Sequence, residues 1–285
     1  METLFLDPFN ILLIAGFIGF FMAFGIGAND VANSMGTSVG SKAITLKQAI
    51  IIAAIFEFLG AFLAGGEVTS TIRKGIVDPN LYANDVNIFV MGMISALLAG
   101  GTWLFIASLR GWPVSTTHSI VGAIIGFVLI SKGVDAVSWG KVGNIAMSWV
   151  TSPLFSGTLA FGLYISAKKL ILDRVNPGKA AITFIPFYSF LVAVVISLVT
   201  ARKGLKHVGI EFSENEIYLF TLIFSVIVAI GTAFFLRRNK DKIMREGGIE
   251  FAFGLLMIVS ASAMAFAHGS NDVANAIGPL AAVVS

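Results

Sequence analysis

Apolar residues in this chain come in long blocks rather than in alternation. Nearly unbroken apolar stretches occupy residues 9–28, 49–66, 88–109, 180–200, 217–236 and 251–267, each near the roughly 20 residues that a helix needs to cross a hydrocarbon core of about 30 Å. A membrane barrel would alternate apolar and polar residues in stretches of about ten, and these blocks do not, so the spans are read as helices. A seventh stretch, 142–167, is long enough but carries Asn144, Ser148, Thr151, Ser152, Pro153 and Ser156. It is read either as a span with a polar face or as two broken pieces, with the span preferred. Residues 113–131 behave differently: they follow the span at 88–109 after only Arg110, Gly111 and Trp112, and their purely apolar part, 120–130, is eleven residues long. A segment that short is expected to enter and return, with its polar N-terminal turn facing protein or a wet cavity. The expected fold is an all-α integral membrane protein, a polytopic helical bundle with a re-entrant helical hairpin.

Composition agrees with this and narrows the chemistry. The chain has 285 residues, 56% hydrophobic and 12% charged, against about 25% charged in soluble domains. With no cysteine, disulfides, thiolate metal sites, iron-sulfur clusters and cysteine nucleophiles are excluded together. The net charge of +3 sits mostly in loops, so it reports topology and not a nucleic-acid partner. Lys168, Lys169, Arg174 and Lys179 form one basic loop, and Arg237, Arg238, Lys240, Lys242 and Arg245 another; both are expected on the cytoplasmic side. Two spans separate them, and the loop between, 201–216, includes Glu211, Glu214 and Glu216, which suits the outer face. Met1, Glu2 and Thr3 lack the basic region of a signal peptide, so the first span is expected to be retained. The expected location is the plasma (inner) membrane, as a multi-pass protein in a lipid bilayer.

The chain also repeats itself. At an offset of 242, residues 22–36 align with residues 264–278, and ten of the fifteen positions are identical, including the block Asn-Asp-Val-Ala-Asn in each copy. Such a block at the end of two apolar spans reads as an internal duplication. Corresponding interrupted helices in two halves are the sequence mark of a transporter binding site between repeats.

Each copy holds an aspartate between asparagines: Asn29, Asp30 and Asn33 in the first, Asn271, Asp272 and Asn275 in the second. An ionised carboxylate inside a membrane needs a partner, and neither motif contains lysine or arginine. A small cation is the remaining partner. Carboxylates, Asn carbonyls and main-chain carbonyls freed at a helix break make a hard-oxygen set suited to sodium. Asn and Asp also begin helices, so a single copy reads equally well as a cap; two matched copies within apolar flanks favour the ion. The stretch from Gly111 to His118, Gly-Trp-Pro-Val-Ser-Thr-Thr-His, puts Pro113 ahead of Ser115, Thr116, Thr117 and His118. Hydroxyls and free N–H groups at such a helix start bind oxyanions. An oxyanion held there without a basic side chain keeps uncompensated charge, which cations on the neighbouring aspartates would offset, so the two ligands bind cooperatively. That is the logic of a cation–anion symporter. Glu57, in mid-span, joins the candidate cation ligands, and His268, four residues before Asp272, shares a helix face with it.

These two constellations, the duplicated Gly-x-Asn-Asp-Val-Ala-Asn block and Pro-Val-Ser-Thr-Thr-His, resemble the inorganic phosphate transporter (PiT) family, the sodium- or proton-coupled phosphate permeases. The resemblance implies an inverted-repeat α-helical fold, inorganic phosphate as substrate, co-transported sodium or protons, no organic cofactor and a homodimer. Carried onto matching positions, Asp30 and Asp272 look like sodium ligands, with Asn33, Asn275 and Glu57 in the same set. Ser115, Thr116 and Thr117 look like phosphate ligands, helped by Asn29 and Asn271, while His268 and His118 look like coupling or gating residues. The family carries a second Pro-Val-Ser-Thr-Thr-His hairpin, whereas only seven residues follow Gly278 here. The chain is therefore expected to be an N-terminal part of a longer transporter. Residues 1–167 would form the first repeat, with its hairpin near 111–131; 168–249 the basic loops and connecting spans; and 250–285 the start of an incomplete second repeat. Sodium symport of phosphate is the preferred reading; proton coupling, or a permease for sulfate or another oxyanion, stays open. An intramembrane enzyme using Ser115 with His118, or an Asp30 and Asp272 dyad, is disfavoured.

Overall fold

In a hydrocarbon solvent each main-chain N–H and C=O must be satisfied within the chain, and a helix does so locally. The computed structural model describes residues 7–66, 76–204 and 212–284, and it follows that rule. In chain order the helices are α1 (Pro8–Gly40), α2 (Leu46–Ala64), α3 (Val86–Arg110), α4 (Thr116–Lys132), α5 (Trp139–Ala167), α6 (Pro177–Val199), α7 (Glu214–Arg238), α8 (Lys240–Ile243) and α9 (Gly248–Val284), with short 3₁₀ or π turns between some of them. Among the described residues seven helices are long and apolar enough to span a membrane, α5 and α6 each extended by a π turn. The protein is a multi-pass membrane protein. Residues 205–211 of the loop expected on the outer face, and the first three residues of the signal-peptide reading, lie outside the described residues.

The seventh stretch is one helix and not two pieces. Within α5, Pro153 leaves a gap in the ladder without breaking it, and the Thr151 and Ser156 hydroxyls turn back onto the carbonyls of Met147 and Pro153. Returning a hydroxyl to the helix's own carbonyls satisfies it where no water reaches. The stretch 113–131 becomes helical only from Thr116, in the 17-residue α4; at 1.5 Å per residue it rises about 26 Å, short of a hydrocarbon core.

Contacts divide the chain into two units. One comprises Met1–Asn33, Glu57–Ile145 and His268–Ser285, the other Ser34–Phe56 and Ala146–Ala267. Both motif copies, Glu57 and the α3–α4 hairpin belong to the first. Its core gathers Met22, Tyr82, Met93, Leu97, Leu104, Ile120, Ile124 and Val128, with Ala274 from α9. Lipid tails are as apolar as these side chains, so the gain on packing is mainly dispersion and close fit. The core of the second unit is built on Ile171, Ile185, Tyr188, Leu236, Ile243 and Ala252.

The α3–α4 hairpin is fastened at its open end. The Lys132 ammonium pairs with Asp85 at 2.7 Å, the Tyr82 and Ser131 hydroxyls meet at 2.6 Å, and the Tyr82 ring packs on Phe89 and Phe127. At the closed end Gly111 has φ +66°, a left-handed conformation that glycine adopts freely, and the Trp112 N–H returns to the Ala107 carbonyl at 2.9 Å. Five residues later the chain is helical again, with the polar start of α4 at the hairpin tip.

Candidate ion and oxyanion site

Ser115 caps α4: its Oγ accepts the His118 N–H at 3.2 Å, while its carbonyl accepts the Ser119 hydroxyl at 2.8 Å. Because Ser115 Oγ only accepts here, its own proton remains available to a ligand. The main-chain N–H groups of Thr116 and Thr117 are in the first turn, where a helix offers no internal acceptor. Oriented donors and the positive end of the helix dipole therefore coincide at this tip.

Asn29, expected as a phosphate ligand, holds that tip in place. Its Oδ1 accepts the Val114 N–H at 3.3 Å, and its Nδ2 donates to the Trp112 carbonyl at 3.1 Å and the Ser108 hydroxyl at 3.4 Å. One buried amide on α1 thus binds the end of α3 and the strand-like residues leading into α4. Ser108 and the Trp112 carbonyl were not singled out by sequence.

The second motif copy meets the same tip. Asp272 Oδ1 accepts from the Thr116 hydroxyl at 3.4 Å, from the Asn271 amide at 3.1 Å and from the Asn275 amide at 3.2 Å. Asn275 Nδ2 also lies 3.2 Å from both Thr116 Oγ1 and Thr117 Oγ1. Asn275 is 1% exposed, and Asp30 and Asp272 are each 8% exposed. Thr116 is thus engaged on both sides, donating to Asp272 and accepting from Asn275, which leaves Ser115 and Thr117 as the hydroxyls with protons to offer an anion.

Asp30 is less well served. Its Oδ1 accepts from the Asn33 amide at 3.4 Å, and its buried Oδ2 has no hydrogen-bond partner among the described residues. Glu57 Oε1 and His268 Nδ1 are in the same condition. Glu57 lies close enough to Asp30 and Asp272 for mutual repulsion, and His268 close enough to Asp272 to act on its charge. The Glu57 main chain comes against Gly269 so tightly that a Cβ there would collide with it, which fixes α2 on α9 at this level. Ser270 secures the same crossing by donating to the Ala64 carbonyl at 3.1 Å. The ion pairs among the described residues, Lys132 with Asp85, Lys168 with Asp173 and Arg202 with Glu214, lie elsewhere.

One expectation changes. The motifs were read as helix breaks supplying freed carbonyls, but α1 and α9 run through both copies. In low dielectric an open main-chain pair costs several kcal/mol, more than the roughly 0.5–1 kcal/mol penalty of each glycine in the helix, so the ladder stays closed. The exception is local: Pro279 lies inside α9 and has no N–H for the carbonyl four residues earlier, that of Asn275. The oxygens on offer are therefore mainly side-chain ones. Among the described residues no three of His, Cys, Asp and Glu converge as a metal-binding group, so a cation held here has to take Asn, Thr or main-chain oxygens with the carboxylates. Such oxygens suit a hard cation.

Of the sequence-selected residues, the structure brings Asn29, Asp30, Glu57, Ser115, Thr116, Thr117, His268, Asp272 and Asn275 to this one unit. Asn33 and Asn271 lie at its exposed margin, each donating to its neighbouring aspartate. His118 is exposed in the first turn of α4.

Comparisons with known proteins place the chain in a family. The sequence profile of the phosphate transporter family matches residues 26–285. A Haemophilus influenzae protein bearing the name phosphate permease is 53% identical over 280 residues, which cover 95% of this chain and 66% of that one. The Arabidopsis thaliana chloroplastic inorganic phosphate transporter 2-1 is 39% identical over 94% of this chain and 49% of its own length. A solved structure of a sodium-dependent phosphate transporter superposes with a TM-score of 0.89 at 40% identity, covering 96% of this chain and 67% of that one. The chain thus spans about two thirds of the length of the bacterial relative and of the solved structure.

Proposed function

We propose, from the premise that this chain belongs to the phosphate transporter family, that it forms the greater part of a secondary transporter importing inorganic phosphate together with sodium. The observation that carries this reading is the contact of Thr116 with Asp272 and of Asn275 with Thr116 and Thr117. It joins the oxyanion-binding start of α4 to a carboxylate that has no basic partner.

Phosphate would sit on the Ser115 and Thr117 hydroxyls and the first N–H groups of α4. Sodium ions would be held at Asp30, Asp272 and Glu57 singly or in pairs, with Asn275 and other Asn, Thr or main-chain oxygens completing each set. Three carboxylates near one another in low dielectric repel strongly, and an incoming phosphate adds to that repulsion. Bound cations remove it, so each ligand raises the affinity of the other by the same factor. Asn29 keeps the hairpin tip against α1, so that a shift of either motif moves the anion donors. The inverted relation of the two repeats, the re-entrant path of the hairpin and a homodimeric assembly belong to the same proposal; light scattering of the purified protein checks the dimer.

The test is uptake of labelled phosphate into proteoliposomes of the intact protein, with and without an inward sodium gradient at fixed pH, and with excess sulfate as competitor. Sodium-dependent uptake that sulfate leaves unchanged is expected. Uptake driven by a pH gradient alone would shift the coupling to protons, for which the unpartnered His268 Nδ1 is the specific support. No uptake under either gradient would overturn the reading.

A further inference from the structure

A cavity belongs to the unit that does not contain the candidate transport site. It measures about 630 Å³ and lies between the turn after α1 and the start of α9, lined by Lys42 and Glu250 together with Phe235, Phe251, Leu255 and Ile258. Its walls are apolar and its two charged residues are of opposite sign.

Its position along the chain places it at headgroup level. Phe235 lies two residues before Arg237, which Arg238 follows, and Glu250 and Phe251 come after Lys242 and Arg245, the basic loop that charge asymmetry assigns to the cytoplasm. A second ammonium lies against one of the lining rings, with Lys242 Nζ 3.7 Å from the Phe251 ring centre. Ser41 ties the turn to α9 by donating to Met257 Sδ at 3.3 Å.

Lys42 is the informative residue. The end of α1 closes with the Ala43 N–H on the Ser38 carbonyl at 3.0 Å, and the residue in the left-handed position of that closure, usually glycine, is Lys42 at φ +61°. Among the described residues it is the non-glycine residue with positive φ. An L side chain adopts this conformation at an energetic cost, and such outliers persist where another interaction needs them. Glycine would close the helix more easily; lysine supplies an ammonium to the cavity.

The geometry points to a binding site for an aminophospholipid, a lipid whose headgroup carries both a phosphate and a primary ammonium. Lys42 and Lys242 face the phosphate, Glu250 accepts hydrogen bonds from the ammonium, and an acyl chain lies along Phe235, Phe251, Leu255 and Ile258. A purely anionic headgroup would meet the lysines through its phosphate but would leave Glu250 without a cationic partner. Choline, with no N–H, can approach Glu250 but cannot hydrogen-bond to it. This site is separate from the phosphate pathway and does not depend on it.

The test is native mass spectrometry of the protein released from nanodiscs of defined composition: phosphatidylethanolamine, phosphatidylcholine or phosphatidylglycerol. The wild type is expected to retain phosphatidylethanolamine over the other two by roughly tenfold, the scale of one charge-assisted hydrogen bond. Glu250→Gln should remove the advantage over phosphatidylcholine. Lys42→Gly should weaken retention of all three lipids. It keeps the helix closure, because glycine suits that backbone, so a loss of lipid in this variant is not a loss of folding; an unchanged thermal midpoint confirms this. Equal retention of the three lipids, preference for phosphatidylglycerol, or retention indifferent to both substitutions overturns the assignment. So does a lipid-free cavity in a dimer that Lys42→Gly dissociates, which would give the cavity to a second copy of the chain.

Discussion

The two copies of the Asn-Asp-Val-Ala-Asn block are identical in sequence and differ in what surrounds them. In the first copy the leading asparagine does the binding: Asn29 grips the hairpin through Val114, Trp112 and Ser108, while Asp30 receives one long hydrogen bond from Asn33. In the second copy the roles are reversed. Asn271 reaches only the adjacent Asp272, and Asp272 and Asn275 take up the hairpin hydroxyls. Pro279 frees a carbonyl in the second copy, and the matching position in the first, Thr37, does not. One hairpin touches both copies at once, through residues at different positions of the repeat. A duplicated motif therefore fixes which chemical groups are available, and the element docked against each copy decides which of them are used.

The largest effects should come from the carboxylates, and they should separate the copies in stability while uniting them in transport. Asp30→Asn and Asp272→Asn should each reduce sodium-driven phosphate uptake on the order of 100-fold, the upper end of what losing a supporting ligand costs a metal site. Without sodium the two variants should part. Asp30 Oδ2 is buried and unpartnered, so an uncharged amide there relieves a desolvation cost, and the variant should unfold at a higher temperature than wild type. Asp272 already collects three donors on one oxygen; its charge-assisted bonds are about twice as strong as neutral ones, so Asp272→Asn should unfold lower. Thermal scans in sodium-free buffer check the signs, and shifts in the same direction would remove the contrast between the copies.

Next in size is the trailing asparagine. Asn275→Ala takes the amide donor from the Thr116 and Thr117 hydroxyls and one of three donors from Asp272, and a buried group left unsatisfied costs about 1–3 kcal/mol. Asn33→Ala at the equivalent position removes one 3.4 Å bond from an exposed side chain and should stay within about 0.5 kcal/mol. Denaturant or thermal unfolding of the two variants gives the comparison directly, and the KM for phosphate should rise in the first and hold in the second.

Much of this was legible in the chain. Long apolar blocks gave the spans, because the lipid core imposes both their length and their helical form. The short apolar part at 120–130 marked α4 as unable to cross, and the repeat offset located both aspartates. Three things were not legible. The motifs read as breaks because glycine and asparagine are poor helix formers in water, a preference that the low dielectric overrides. The hold of Asn29 on the hairpin was hidden because its partners, Ser108 and the Trp112 carbonyl, lie 79 and 83 residues away in sequence. Sequence offered no reason to pair them. The cavity beside Lys42 was equally hidden, since a lysine two residues after a glycine gives no sign of a left-handed main chain.

The smallest expected effect tests the leading asparagines. Asn29 binds three groups, one at the end of α3 and two in the connection to α4, so Asn29→Ala should loosen the path into α4 before it lowers global stability. The bonds are long, at 3.1–3.4 Å, and two of the lost partners are main-chain groups that still need satisfying, so a cost of about 1–2 kcal/mol follows. Asn271→Ala removes one bond to an aspartate that keeps two other donors, and at an exposed site about 0.5 kcal/mol or less is expected. Hydrogen exchange separates a clasp from a ligand. In phosphate-free buffer Asn29→Ala should speed exchange at Val114, whose N–H it has exposed, while Asn271→Ala leaves Val114 unchanged. If Asn29 acted only through bound phosphate, exchange in phosphate-free buffer would not respond to either substitution. The hairpin would then be held by its open end alone, through Lys132 with Asp85 and Tyr82 with Ser131.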